Sequence, residues 1–175
     1  MNYKEFKILY SADKYRKMRG HALRFVRLLR MTQCSSGLVQ YFFRFFLRRL
    51  SLKYGLEISW RAKIGQGFYI GHAYNITINP KTTIGDWCNI HKGVTIGQTN
   101  RGKLKGVPKI GNQVWIGVNS TIVGSITIGD DVLIAPNTYV NCDVPPHSIV
   151  LGNPCTIHHR DNATEGYINN TYLNN

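Results

Sequence analysis

Aliphatic residues that return every sixth position, with glycine or another small residue often directly after them, predict a parallel β-helix of hexapeptide units; a basic, aromatic-rich stretch ahead of them predicts an α-helical N-terminal segment. The aliphatic positions are Ile58, Ile64 and Ile70, then Ile78, Ile84, Ile90 and Ile96, then Ile110, Ile116, Ile122, Ile128, Ile134 and Val140. A helix requires an apolar period near 3.6 and a half-buried strand a period of two, so a period of six belongs to short strands joined by sharp turns. Glycine follows at 65, 71, 85, 97, 111, 117 and 129. Four residues after the aliphatic position stand small or β-branched residues such as Ala62, Cys88, Val94, Val114, Ser120 and Thr138. Three such units make one triangular coil, with the aliphatic side chain on its axis.

The register breaks twice. Between Ile70 and Ile78 the step is eight, which adds two residues around His72. Between Ile96 and Ile110 it is fourteen, which extrudes a loop over residues 98–108 that is rich in glycine and basic residues. Insertions in a solenoid map to loops on its working face, so both interruptions mark candidate sites of chemistry.

Residues 1–54 form the basic helical segment, 55–160 the β-helix and 161–175 a polar tail, expected to be mobile. Among 175 residues, 22 are Lys or Arg and 9 are Asp or Glu; 13 of the basic residues lie in 1–53 beside only Glu5 and Asp13. HALRFVRLLRM and VQYFFRFFLRRL interleave Arg with apolar residues at helical spacing, and Cys34-Ser-Ser-Gly37 breaks one helix from the next. Such helices cap the first coil or a neighbouring subunit, or else rest on anionic lipid with Arg towards phosphate. No nucleic-acid module is present, so nucleic acid is not an expected partner. No apolar run is long enough for a membrane span, no signal peptide opens the chain, and the four cysteines show no CxxC spacing. A cytoplasmic protein, peripheral at most to the inner face of the membrane, with reduced thiols and no metal site, is the expectation.

From Leu56 to about Ile157 the chain resembles the catalytic domain of serine acetyltransferase and its relatives, the short O-acetyltransferases of bacterial polysaccharide assembly. The resemblance rests on LEISWRAKIGQGFYIGHAYNITIN, IHKGVTIGQT, VPKIGNQVWIGVNSTIVGSITIGDDVLIAPN and DVPPHSIVLGNP, in that order. It implies a left-handed coil, a homotrimer or a dimer of trimers, and acetyl-CoA as co-substrate in a groove between subunits. It also implies direct transfer with His72 as general base and Glu57 as the carboxylate that orients it, where serine-specific members carry Asp. A neutral imidazole beside a hydroxyl proton makes that oxygen a competent nucleophile, and the carboxylate fixes the tautomer. Gly97, Gly117 and Ala135 are the small corner residues against which a pantetheine arm would lie. Thr99 and Arg101 match a Gly-Thr-Gly-Lys-like stretch and would meet polar parts of CoA. His91, directly after Ile90, would line the same cleft. His147 reads as a solvated turn residue, and His158 and His159 have no evident partner.

The departures from the serine-specific pattern bear on the acceptor. Gly71 stands where those members place Asp before the catalytic His, and Gly106 and Val107 stand in place of Arg-His. Those side chains would pair with the amino and carboxylate groups of free serine, so their loss points to a different acceptor, a saccharide hydroxyl of surface-glycan biosynthesis. Serine O-acetylation is the alternative, and a non-catalytic β-helical scaffold a third reading.

Overall fold

The computed structural model describes residues 1–172. Three helices, α1 (Tyr3–Tyr15), α2 (Gly20–Gln33) and α3 (Gly37–Tyr54), precede fifteen short strands wound into about five coils. The first face of the solenoid stacks β1 (Leu56–Ile58), β4 (Ile76–Ile78), β7 (Thr95–Gly97), β10 (Thr121–Val123) and β13 (Tyr139–Val140). The second stacks β2 (Lys63–Ile64), β5 (Thr83–Ile84), β8 (Lys109–Ile110) and β11 (Thr127–Ile128). The third stacks β3 (Tyr69–Gly71), β6 (Asn89–His91), β9 (Trp115–Ile116), β12 (Val132–Ile134), β14 (Ser148–Leu151) and β15 (Thr156–His159). Every ladder is parallel except the closing β14–β15 pair.

All thirteen period-six aliphatic residues are buried on the axis. Each contributes about 1.5–3 kcal/mol through removal from water, which makes the six-residue period the dominant folding signal. Glycine at the corner after the second face is dictated by the next coil. A Cβ on Gly65 would lie 2.7 Å from the backbone of Gly85, and one on Gly85 would lie 2.6 Å from the carbonyl oxygen of Gly111.

The helical segment packs on the first coil. Ala22, Phe25, Val26, Leu29 and Arg30 form the buried stripe of α2, at the spacing of one helical face, and the apolar members join the core with Leu56 and Ile58. Arg30 and Asp13 form a fully buried ion pair at 2.8 Å. Arg30 also donates to the Ile64 carbonyl at 2.6 Å, while Asp13 accepts from the Phe68 amide at 2.8 Å, so the pair bolts α1 and α2 to the coil.

One sequence expectation is refined here and one is corrected. The segment holds three helices, because the chain turns at Lys17 and Gly20, both at positive φ, and Arg16 leaves the helix to donate to the Gly67 carbonyl and the Asn89 amide oxygen. The tail is packed where mobility was expected: Ala163, Thr164, Ile168 and Thr171 are buried, and Tyr167 lies edge-on to Trp115. Asp131 holds it, accepting from the amides of Ala163 and Thr164 and from the Thr164 hydroxyl at 2.7–2.9 Å. The last three tail residues, 173–175, lie outside the described residues.

Candidate active site

The two residues added between Ile70 and Ile78 widen the corner between the third and first faces into a turn over residues 72–75. His72 and Asn75 adopt φ of 52° and 53°, and the His72 side chain is exposed beyond the coil while Ala73 is buried beneath it. The helical segment fixes this turn. His21 of α2 donates through Nε2 to the Ala73 carbonyl at 3.0 Å, its ring stacks on Tyr54 at 4.1 Å, and Tyr74 closes against both rings. The amides of Asn75 and Ile76 donate to the carbonyls of Tyr54 and Gly55, both at 3.0 Å. His21, Tyr54 and Tyr74 carry no signal at the sequence level, since only the fold brings α2, the end of α3 and the inserted turn together.

Four residues form a column down this corner: Gly71, His91, Gly117 and Ala135. His91 is the one large side chain among them. Its Nδ1 lies 3.0 Å from the Ile116 carbonyl, and because a carbonyl only accepts, Nδ1 carries the proton and Nε2 presents a lone pair. The ring packs on Trp115 at 4.7 Å, and its Cδ2 and Nε2 lie over the Cα of Gly71. Burial pushes the His91 pKa below the usual imidazole value, the Ile116 bond opposes that shift, and the nearby His72 adds to it. His91 is therefore neutral at neutral pH.

Glu57 lies on β1 with its side chain outward and exposed, in register with Thr77 of β4, and forms no hydrogen bond with His72. A hollow of about 410 Å³ over the first face is bordered by Glu57, Thr77, Asn79 and Gly97. Gly97 ends β7 at the opposite edge of that face from His72. Thr99 sits beside it, exchanging backbone hydrogen bonds of 3.0 and 2.9 Å with Gly106, while Arg101 is exposed and Val107 half-buried. Apart from Glu57, the residues expected at the site fall into two groups. His72, Gly71, His91, Gly117 and Ala135 share one corner; Gly97, Thr99, Arg101 and Val107 share another, and one chain does not bring the two together. Their small residues also differ in kind. A Cβ on Gly117 would lie 2.6 Å from the Pro136 amide nitrogen, so coil packing alone requires that glycine, whereas a Cβ on Gly97 would meet only Val123 at 3.4 Å and Thr95 at 3.8 Å.

His147 is a half-exposed turn residue, as expected, and hydrogen-bonds Asp131 at 2.9 Å. His158 and His159 sit on β15, and both do have partners, His158 the Thr156 hydroxyl at 3.2 Å and His159 the Asp161 carboxylate at 3.4 Å. Among the described residues no group of three or more His, Cys, Asp or Glu is placed to hold a metal ion.

Comparison with known proteins adds to this geometry. The family model described as bacterial transferase hexapeptide (six repeats) matches residues 108–142. The serine acetyltransferase of Helicobacter pylori (strain ATCC 700392 / 26695) is 41% identical over 99 residues, which are 57% of this chain and 58% of that protein. The chain thus spans less than two thirds of that relative's length. Soybean serine acetyltransferase, solved as the apoenzyme, superposes with a TM-score of 0.75 at 25% identity over 89% of this chain and 69% of its own. A serine acetyltransferase solved in complex with CoA superposes with a TM-score of 0.72 at 24% identity over 89% of this chain and 68% of its own, a likeness of fold. The first two of these likenesses overturn the saccharide acceptor expected from Gly71, Gly106 and Val107, since each is to a serine acetyltransferase. The physical reason lies in part at position 71, where the missing side chain is not empty space but is filled by the ring of His91. Residues 108–142 thus match the hexapeptide transferase repeat, and the β-helix is serine acetyltransferase-like in sequence and fold.

Proposed function

We propose that this chain transfers the acetyl group of acetyl-CoA to the hydroxyl of serine. The observation that carries the reading is His72, placed outside the coil by a two-residue insertion and held there by the α2 and α3 contacts, in a solenoid similar to serine acetyltransferases. The imidazole of His72 takes the proton of the serine hydroxyl as that oxygen bonds to the thioester carbonyl carbon; the carbon–sulfur bond breaks and the CoA sulfur leaves, to be protonated. Glu57, on the strand paired with the one that follows the His72 turn, supplies the carboxylate that stabilises the imidazolium once the acceptor orders the site. No cysteine is arranged for a covalent acyl-enzyme: Cys88 is buried in the core and its thiol is pushed up to about 12, so direct transfer is favoured.

The separation of the two residue groups supports a homotrimer, alone or paired as a dimer of trimers. Packing flat solenoid faces about a three-fold axis sets the Gly97 edge of one subunit against the His72 corner of the next. The pantetheine arm then lies along the open backbone of Gly97 and past the small corners at Gly117 and Ala135. Thr99 and Arg101 reach its polar parts, and Val107 closes the acceptor end. At that end the Nε2 lone pair of His91, beside Gly71, accepts from the serine ammonium in place of the absent acidic side chain.

Thiol release from acetyl-CoA tests this directly. Wild-type protein is expected to release CoA with serine in the assay, and His72→Ala to lower kcat by about 10²–10⁴-fold, the usual contribution of a general base. Release that needs some other hydroxyl compound in place of serine overturns the acceptor; an unimpaired His72→Ala variant overturns the mechanism.

A further inference from the structure

Helix α3 carries an apolar face that nothing else among the described residues covers. At 3.6 residues per turn, Leu38, Phe42, Phe45 and Leu52 fall along one line, with Tyr41 and Phe46 to either side, and Leu47, the one buried residue of the helix, lies opposite. Leu38 is 87% exposed, Leu52 74% and Phe42 60%, so these side chains stand in the open and are not the margin of a packed seam. Arg48, Arg49 and Lys53 are exposed along the same face, and the helix contains no acidic residue. The guanidinium of Arg49 lies 5.9 Å from the centre of the Phe45 ring, and that of Arg44 lies 5.2 Å from Tyr41. Cationic and aromatic groups thus share one level of the surface.

Charge decides what fits. A second copy docked through the same face would set Arg48, Arg49 and Lys53 beside their own equivalents with no carboxylate from α3 to meet them. A bilayer containing anionic lipid supplies the counter-charge in its phosphates and takes Leu and Phe side chains at the headgroup boundary. Among the described residues no helix is long and apolar enough to cross a membrane, so α3 would lie in the interface plane. We infer that the outer face of α3 is a docking surface for an anionic lipid bilayer, with Leu38, Phe42, Phe45 and Leu52 entering the headgroup boundary and Arg48, Arg49 and Lys53 on lipid phosphates. The inference stands apart from acetyl transfer and does not depend on the acceptor.

Vesicle co-sedimentation of the full chain tests it, using phosphatidylcholine alone and phosphatidylcholine mixed with phosphatidylglycerol. Wild-type protein pellets with the mixed vesicles, weakly with phosphatidylcholine, and less as salt is raised. Arg48→Gln with Arg49→Gln weakens partition into mixed vesicles by about thirtyfold. Phe42→Ser with Phe45→Ser abolishes it while circular dichroism and CoA release in solution stay at the wild-type level. Wild-type protein that does not distinguish the two vesicles, or variants that bind as wild type does, would overturn the inference. So would a Phe42→Ser, Phe45→Ser chain whose assembly falls apart in analytical ultracentrifugation while wild type ignores vesicles, since that gives the face to a second copy.

Discussion

The ring of His91 occupies the space into which a side chain at Gly71 would grow: a Cβ there would lie 2.3 Å from Cδ2 and 2.6 Å from Nε2. The two positions face each other in register on β3 and β6, so the residues at 71 and 91 are chosen together and neither can be enlarged alone.

This pairing predicts a compensated swap. Gly71→Asp forces the carboxylate into the imidazole and costs about 1–3 kcal/mol as overpacking, a fall in Tm of roughly 2–12 °C for a chain of this size. Adding His91→Ala opens the space and recovers most of that loss. Thermal melts of both single variants and the double variant form the cycle; additive losses would mean that the two positions do not share the space.

The glycines expected at the acetyl-CoA groove should separate by what they affect. Gly117→Ala places a Cβ 2.6 Å from the Pro136 nitrogen and 2.9 Å from the Ala135 carbonyl carbon, so it destabilises the coil. Gly97→Ala meets only side-chain methyl groups at 3.4 and 3.8 Å, so the fold should hold while KM for acetyl-CoA rises. Melting temperature read beside KM distinguishes them. Unchanged acetyl-CoA kinetics in Gly97→Ala would remove that edge from the proposed groove.

The repeat was legible because burial on the axis is one-dimensional: Ile58 through Val140 each answer the same local requirement, and the requirement recurs every six residues. His72 was legible for the complementary reason, as an interruption of that rhythm. Sequence gave no access to contacts made across the molecule. The His21–Tyr54–Tyr74 cluster joins α2, the end of α3 and a turn far along the chain. The polar tail looked unable to bury enough apolar surface to pack. It packs because Asp131, at a corner with φ of 53°, presents a carboxylate to two tail amides and a hydroxyl, a hydrogen-bond arrangement that no periodicity records. The acceptor was misread for a related reason: Gly71 was read with Gly106 and Val107 as a lost contact, while the space beside it is filled by the ring of His91.

The Asp131 clasp makes the tail sensitive to acid. Burial pushes the Asp131 pKa up, but hydrogen bonds from the Thr164 hydroxyl, His147 and the amides of Thr164 and Ala163 outweigh it and hold the carboxyl below its usual range. A carboxyl whose pKa is depressed by folding contributes stability above its unfolded value, about 3.9, and loses it as pH falls through the folded value. Hydrogen-exchange protection factors at the Ala163 and Thr164 amides, measured against the intrinsic rate at each pH, should therefore stay high at neutral pH and fall below about pH 4. Asp131→Asn should exchange quickly at these amides even at neutral pH. Protection that is the same in the variant and the wild type would show that the apolar contacts of Ile168 and Tyr167 hold the tail without the clasp.

The attachment of the helical segment rests on a different balance. Arg30 and Asp13 are both fully buried, and desolvation pushes the Asp13 pKa up despite the guanidinium beside it. A buried pair of this kind gains little over an apolar packing of the same volume, yet leaving one charge alone is costly. Arg30→Met strands the Asp13 carboxylate and leaves the Ile64 carbonyl without its donor, for a loss of about 3–5 kcal/mol. Asp13→Leu combined with Arg30→Met removes both charges and should recover a large part of that loss, with the Phe68 amide, which donated to Asp13, and the Ile64 carbonyl, which accepted from Arg30, as the remaining costs. Urea unfolding of the wild type, the single variant and the double variant measures each step. A double variant no more stable than Arg30→Met would mean that the hydrogen bonds to Ile64 and Phe68, and not the stranded charge, dominate the junction between the helices and the first coil.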